Sequence, residues 1–323
     1  MRRLLVGMTA TLAMVAALAT ASCSVEPTPL PKAAPAATSS GSGTSTAPAA
    51  CSDALQSYAP YSTQPTPDTF AAGSTMAAIK KRGRLIAGVS ADTYLLGSRN
   101  PLTGRIEGFD IDIVNAIARA ILGKGARVEL RVITAAQRQT VLQDHQVDIV
   151  VRAYSMTCDR WKSVAFSAEY YHAGQKILIR KGSSITGLRT LAGKKVCVPA
   201  GTSSEDNLRR LAPKAVVVLA ATHTECLVDL QQGKAEAISG DDTVLAGLAA
   251  QDPYAVVLDE KAFTDEPYGV GIPKDHPDLV RFVNGVLREM GKDGAWTASY
   301  DRWLAPTLGG GAKQPTPQYG RAS

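Results

Sequence analysis

Apolar residues between positions 76 and 151 form two alternating patterns, a four-residue recurrence and short continuous runs. Phe109, Ile113, Ile117 and Ile121 recur every four residues, which predicts a helix with one buried stripe that opens at residues 108–112. Short continuous apolar runs, such as residues 85–89, instead predict buried strands. By the same criteria we predict further helices at 76–84 and 138–144, and further strands at 128–133 and 147–151.

The alternation of strands and helices repeats after residue 185. The second series comprises strands at 195–199, 216–219 and 235–239, with helices at 204–211 and 225–232. Two helical stretches, 279–290 and 297–304, end the folded part. Strands that alternate with helices predict parallel sheets with crossover helices. We therefore expect an α/β fold with two lobes of similar build.

Composition narrows the classes of function. The chain has 323 residues with a formal net charge of +6, 45% hydrophobic and 20% charged residues, as in ordinary globular proteins. Only the first 22 residues form a long apolar stretch, which excludes a polytopic membrane protein. The positive charge is dilute and scattered, and the Lys80-Lys81-Arg82 cluster is its densest run. This disfavours nucleic-acid binding.

The N-terminus predicts export. Arg2-Arg3 and the apolar run that follows have the layout of a signal peptide, which we place at residues 1–22. Thr20-Ala21-Ser22-Cys23 resembles a bacterial lipobox, with Thr20 where Leu is usual, and this implies that Cys23 is acylated. A transmembrane anchor and plain cleavage are the alternatives. The Pro-, Ala-, Ser- and Thr-rich residues 23–50 predict a flexible tether, and residues 309–323 a loose tail.

The remaining cysteines are Cys51, Cys158, Cys197 and Cys226. They show no CxxC spacing and the four histidines lie far apart in sequence, so a zinc site is poorly supported. Four cysteines in an exported chain predict two disulfides, in three possible connectivities. Cys197 and Cys226 belong to one local strand–helix unit, which favours their pairing and leaves Cys51–Cys158. Free core thiols and a catalytic Cys–His pair are the alternatives.

Seven short motifs stand in order along residues 75–305, and together they resemble a known family. They comprise residues 85–89, 108–112, 148–150, 156–160, 164–171, 193–198 and 230–237. In this order and spacing they resemble solute-binding protein family 3 of polar-amino-acid ABC importers. The similarity is greatest to the glutamine- and glutamate-binding lipoproteins of actinobacteria.

The resemblance implies a two-lobed periplasmic-binding-protein fold of type II, with two crossover strands as the hinge. We expect the crossings near residues 177–181 and 256–261. The first lobe then spans residues 51–181, the second 182–258, and a return segment 259–308 completes the first lobe. The resemblance further implies that an amino acid binds in the cleft and that the lobes close on it.

The resemblance assigns the groups that would hold the backbone of an amino acid. Arg160 is expected to clamp the α-carboxylate bidentately, although a surface salt bridge is the alternative. Ser155 and Ala153 are expected to offer hydroxyl and backbone groups. Thr202 and Ser203 precede a helix, whose free N–H groups attract carboxylates, although a plain helix cap would explain them too. Asp241 is expected to take the ammonium, while Asp242 points the opposite way.

The side-chain pocket is expected to involve Ser90, Asp92 and Tyr94, with Tyr94 stacking on the ligand. Arg152 stands where glutamine-binding relatives carry a small residue, and an extra cation favours glutamate or aspartate over glutamine. The alternative is that Arg152 pairs with Asp92 or Asp148. Lys176 is a weaker candidate for the extra cation that would favour an acidic ligand.

These features predict a monomeric, lipid-anchored receptor at the outer face of the cytoplasmic membrane. It would bind a polar or acidic L-amino acid, with glutamate or aspartate as the first choice and glutamine or asparagine as the second, and deliver it to an ABC permease. The alternatives are a sensor subunit that presents the ligand-bound state to a membrane signalling protein and, more remotely, a dehydratase-like enzyme. We expect no catalytic residue, no metal and no cofactor.

Overall fold

The computed structural model of the protein describes residues 52–322. The predicted signal peptide, Cys23, the tether 23–50 and Cys51 lie outside the described residues. Within residues 52–322, no helix has both the length and the hydrophobicity that crossing a bilayer requires.

Ten α-helices and sixteen strands make up this part of the chain. The helices are α1 (Thr75–Arg82), α2 (Phe109–Leu122), α3 (Arg138–Gln143), α4 (Cys158–Ser163), α5 (Ser203–Leu211), α6 (His223–Gln231), α7 (Asp242–Gln251), α8 (Pro277–Lys292), α9 (Ala295–Trp303) and α10 (Ala305–Leu308), with a 3-10 turn at Leu188–Thr190. The strands are β1 (Gln56–Ser57), β2 (Leu85–Val89), β3 (Asp92–Thr93), β4 (Gly97–Arg99), β5 (Ile106–Glu107), β6 (Val128–Val132), β7 (Ile149–Val150), β8 (Val164–Phe166), β9 (Tyr171–Arg180), β10 (Lys195–Pro199), β11 (Val216–Ala220), β12 (Ala237–Asp241), β13 (Ala255–Val257), β14 (Thr264–Tyr268), β15 (Gly271–Pro273) and β16 (Gln318–Tyr319).

Local sequence explains why the first helices start and stop where they do. The Ser74 side chain caps α1 by accepting from the N–H of Ala77, and Gly83 ends the helix in the left-handed region with φ 77°. Gly108 precedes α2 with φ 143°, and a Cβ there would lie 2.3 Å from the Leu96 carbonyl oxygen. Only glycine fits at this position. The predicted stripe of α2 is fully buried, which confirms that helix.

The first lobe is built on a five-stranded sheet in the order β6-β2-β7-β15-β8. The strands β6, β2 and β7 run parallel, and β15 pairs antiparallel with both β7 and β8. The second lobe has the sheet order β11-β10-β12-β9-β13. There β10 is parallel to β11 and β12, whereas β9 is antiparallel. Both lobes thus have the predicted α/β build, and the two-lobed type II fold is confirmed.

Two antiparallel strands carry the chain between the lobes. The start of β9 packs in the core of the first lobe through Tyr171, while Ile177 packs in that of the second. The strand β14 pairs with this part of β9, from Thr264 opposite Gln175 to Tyr268 opposite Tyr171. The crossings therefore lie within residues 171–175 and 264–268. Of the expected positions, 177–181 and 256–261, residues 178–179 pair with residues 256–257 inside the second lobe.

The C-terminal tail differs from its prediction as a loose segment. The strand β16 pairs in parallel with β1. Arg321 donates from Nη2 to the backbone carbonyl of Asp53 at 2.7 Å, and its guanidinium lies 3.8 Å from the ring centroid of Trp161. Backbone pairing and this cation–π contact hold the tail on the first lobe. A Gly- and Pro-rich composition does not reveal such long-range partners.

The Cys197–Cys226 pairing is confirmed. The two Cα atoms lie 5.4 Å apart, and the bond links β10 to α6 inside the second lobe. The pairing of Cys158 with Cys51 stays a prediction, because Cys51 lies outside the described residues.

We predict that replacing Cys197 and Cys226 together by Ala destabilises the protein. The bond closes a loop of 29 residues, so its removal costs roughly 3.5 kcal/mol of unfolding free energy in the loop-entropy description. Urea denaturation of the wild type and of the double variant measures this difference. A loss below about 1 kcal/mol would show that the bond contributes little constraint.

Candidate functional site

A cavity lies between the lobes, beside the carboxyl ends of β7, β10 and β12. The space between its walls is about 410 Å³ when the open solvent at its mouth is included. Six of the ten predicted ligand-binding residues line it: Arg152, Ala153, Ser155, Thr202, Ser203 and Asp241. Residues from both lobes therefore share one cavity, which is the arrangement expected for a ligand held at an interlobe cleft.

The lobes are closed on each other around this cavity. The Thr224 hydroxyl donates to the Asp92 carbonyl at 2.9 Å, and the hydroxyl oxygens of Ser203 and Ser155 lie within hydrogen-bond distance, at 3.1 Å. A Cβ on Gly201 would lie 2.8 Å from the Cα of Ala136. Glycine at this position thus permits the close approach of the two lobes.

The floor of the cavity depends on an unusual backbone conformation at Ala153, which has φ 41°. Asp110, in the first turn of α2, accepts the N–H of Ala153 at 2.9 Å and the hydroxyl of Tyr170 at 2.7 Å. Burial raises the pKa of Asp110 to about 6. Asp110 therefore holds the segment that carries Arg152 and Ser155 in place.

Arg138 lines the cavity and was not anticipated from the sequence. Its Nε donates to the carbonyl of Ala135, Nη1 to those of Arg152 and Ala153, and Nη2 to that of Gly201. Burial and the nearby Arg160 lower its pKa to about 9. Because its donors end on backbone carbonyls of both lobes, Arg138 positions the cavity wall.

Arg152 and Arg160 keep donors available. Arg152 is 8% exposed and donates from Nε to the Ile133 carbonyl at 2.8 Å, and no carboxylate of residues 52–322 lies within 4.0 Å of it. Asp148, one of its alternative partners, pairs with Arg82 instead. Burial lowers the pKa of Arg152, while Asp92 and Asp110 raise it.

Arg160 lies directly behind the wall and is not among the residues that line the cavity. Its Nη1 donates to the Ser155 carbonyl at 2.6 Å, and its guanidinium lies 4.9 Å from the ring centroid of Tyr154. Its positive charge lowers the pKa of Asp206 in the first turn of α5, against the larger raising effect of burial. Arg160 thus stands between Ser155 and the N-terminus of α5.

Asp241 ends β12 and projects into the cavity, whereas Asp242 lines a groove on the opposite side of the hinge. The Asp241 carboxylate accepts hydrogen bonds from the Tyr268 hydroxyl at 2.6 Å and from the Ser204 hydroxyl at 3.3 Å. Burial and the nearby Glu266 raise the pKa of Asp241 to about 7, while the bond from Tyr268 lowers it. Among residues 52–322, the side chains that donate to this carboxyl group are these two hydroxyls, and neither is a cation.

The N-terminus of α5 faces the cavity. Thr202 is the N-cap, because its hydroxyl accepts the N–H of Glu205 and donates to the Pro199 carbonyl. The Ser203 hydroxyl donates to Glu266 at 2.6 Å. With both hydroxyls engaged, this end of the helix offers its free backbone N–H groups to an anion.

Ser90, Asp92 and Tyr94 lie outside the cavity wall, and Thr93 takes their place. Ser90 Oγ donates to Asp92 and accepts the N–H of Thr93 at 3.2 Å, so it shapes the loop. The Tyr94 side chain is 44% exposed, and its carbonyl packs against Gly247 of α7. The stacking role expected of Tyr94 does not fit this geometry.

His223 is a second lining residue that sequence reasoning missed. It opens α6, and its Nε2 is buried without a hydrogen-bond partner. Burial and the Arg152 charge lower its pKa to about 3, so the ring is neutral at physiological pH. The one available indication was its position, directly after the Thr222 helix cap that follows β11.

Comparison with known proteins agrees with this architecture. The chain is 37% identical to the ABC transporter glutamine-binding protein GlnH of Bacillus subtilis over 71% of its length and 84% of that protein. It is 30% identical to the glutamate-binding protein GluB of Corynebacterium efficiens over 73% of its length and 83% of that protein.

A solved structure shares the fold. The ancestral amino acid-binding protein AncCDT-1, a precursor of cyclohexadienyl dehydratase, superposes with a TM-score of 0.66 at 34% identity, covering 72% of this chain and all of that one. The family model of the bacterial extracellular solute-binding proteins, family 3, matches residues 85–306. The chain is therefore a member of the bacterial extracellular solute-binding proteins, family 3.

Proposed function

We propose that this protein is the extracytoplasmic receptor of an ABC importer and binds L-glutamate or L-aspartate in the interlobe cavity. Acylation of Cys23 would tether it to the outer face of the cytoplasmic membrane, since two or more acyl chains suffice for stable attachment. The relatives named for binding glutamine and glutamate support an amino-acid ligand. The role is binding and delivery, without catalysis.

The observation that carries the proposal is the charge of the cavity. Arg152 lines it and Arg160 lies directly behind its wall, both with unused donors, and Asp241 is the carboxylate that projects into it. An acidic amino acid carries two carboxylates and one ammonium. It therefore supplies an opposite charge for each of these three groups. Without such a partner, a buried charge costs free energy.

The α-carboxylate would lie between Arg160, the Ser155 hydroxyl and the N-terminus of α5. Arg160 and Ser155 belong to the first lobe, and α5 belongs to the second. A carboxylate held by a guanidinium and by helical N–H groups forms charge-assisted hydrogen bonds on both sides. One ligand group would thus connect the lobes.

The ammonium would pair with Asp241, and the side-chain carboxylate with Arg152. A glutamine or asparagine ligand would place a neutral amide beside Arg152 and leave that buried cation unpaired. This difference favours the acidic ligands over their amides.

We predict that Arg152→Gln weakens glutamate binding by roughly 10- to 100-fold, because a charge-assisted hydrogen bond is lost, and affects glutamine binding far less. Calorimetric titration against all proteinogenic amino acids measures both affinities and tests the proposed ligand class. Lys176→Gln is the matched control, since Lys176 lines the groove behind the hinge. Equal losses for glutamate and glutamine would remove Arg152 as the specificity residue, and silence across the panel would overturn the proposed function.

We predict that Arg160→Ala weakens every amino-acid ligand by at least roughly 30-fold, since it removes one partner of a buried charge pair. The exposed Arg189, in the second lobe, gives the control Arg189→Ala. Circular dichroism verifies that both variants fold. Wild-type affinity in Arg160→Ala would show that the α-carboxylate binds elsewhere.

We predict that affinity rises with pH. The pKa of Asp241 is raised to about 7, so this carboxyl group is largely protonated at pH 6 and must lose its proton to pair with an ammonium. Affinity should therefore increase about tenfold from pH 6 to pH 8, with release of nearly one proton on binding at pH 6 and almost none at pH 8. Asp241→Asn should abolish this dependence, whereas Asp242→Asn should keep it. A flat profile in the wild type would contradict the pairing.

A further inference from the structure

Two histidines that are far apart in sequence meet on the first lobe. His145 follows the end of α3, and His276 is the residue before α8. Their ring centroids lie 5.2 Å apart, and His145 Nε2 lies 3.5 Å from a carboxylate oxygen of Asp275. One donor atom from each of these three side chains lies within 4.8 Å of the other two.

This cluster lies beside the strand ends of the first-lobe sheet that face away from the cleft. His145 precedes β7, whose carboxyl end leads to Arg152 at the cavity. Asp275 and His276 follow the antiparallel strand β15, so they return to the same edge as His145. A ligand at the cluster would therefore not compete with an amino acid in the cleft.

A buried nitrogen of His276 has no partner. His276 Nδ1 is inaccessible to solvent and makes no hydrogen bond within the described part of the chain. Buried polar atoms without a partner are uncommon in folded proteins, and each one calls for an explanation. A metal ion that takes the lone pair of an imidazole nitrogen would provide one.

The neighbouring acids are already engaged. Asp148 pairs with Arg82 and accepts the N–H of Ile86, and Asp278 accepts the N–H and the hydroxyl of Thr75. They add negative charge nearby, but their oxygens hold local structure. The available ligand set is therefore two imidazoles and one carboxylate.

We propose that His145, Asp275 and His276 form a binding site for a divalent transition-metal ion, with Zn²⁺ as the representative. Two imidazoles and a carboxylate suit Zn²⁺, and water would occupy the fourth position. Ligand atoms of a tetrahedral Zn²⁺ site lie about 3.3 Å apart, given metal–ligand distances of about 2.0–2.1 Å. At 3.5 Å, His145 Nε2 and the Asp275 oxygen lie close to this spacing, and both side chains are exposed and free to rotate toward His276.

Calorimetric titration of ZnCl₂ into the full chain without an affinity tag tests the site. We expect one ion per chain with affinity lowered on the order of tenfold or more in each of His145→Ala, His276→Ala and Asp275→Asn. The matched control is His172→Ala, because His172 also contacts two carboxylates, those of Glu169 and Asp265, but with a single imidazole. Unchanged zinc affinity in the three variants, or the same loss in the control, would overturn the proposal.

Two further measurements keep the result unambiguous. Glutamate affinity of each variant should equal that of the wild type if the variants fold, because the cluster lies away from the cleft. Anomalous diffraction at the zinc absorption edge should then show a peak between the three side chains in crystals soaked with ZnCl₂. A peak elsewhere, or none, would overturn the site whatever the outcome for the amino-acid ligand.

Discussion

Charged groups taken out of water need opposite charges or hydrogen bonds, and this requirement organises the closed cleft. Arg138 meets it within the protein, because its donors end on backbone carbonyls. Arg152 and Arg160 meet it only in part, and Asp241 shares its surroundings with Glu266. Closing the lobes around these groups without a ligand leaves charges uncompensated. A ligand that supplies the missing charges therefore favours the closed state by its differential affinity.

The hinge and the site share residues, so closure and binding act on the same groups. The strand β14 carries Glu266 and Tyr268, and it pairs with the segment of β9 that joins the lobes. The Tyr268 hydroxyl donates to Asp241, and Glu266 accepts from Ser203. A change in the angle between the lobes would move both contacts. The groups proposed to hold the ammonium and the α-carboxylate are thus positioned by the hinge strands themselves.

Local periodicity accounts for the elements that the sequence predicts well. The stripe of α2 and the continuous apolar run of β2 depend on neighbours within a few residues, so the pattern alone predicts them. The sequence also predicts that Asp241 and Asp242 point in different directions, and in the structure they do so because Asp241 ends the strand β12 whereas Asp242 begins the helix α7. The helix α7 was missed, since its residues are apolar on several sides and show little periodicity.

The remaining features depend on contacts between segments that are distant in sequence, which periodicity does not encode. His223 reaches the cavity only because α6 packs beside β12, and the tail is held only because Arg321 meets Trp161. The loop after β2 shows the same limit at short range. Ser90 Oγ accepts the N–H of Thr93, and this turn directs Thr93 toward the cavity and Tyr94 toward solvent. Side-chain-to-backbone hydrogen bonds of this kind hold loop geometry that periodicity does not encode.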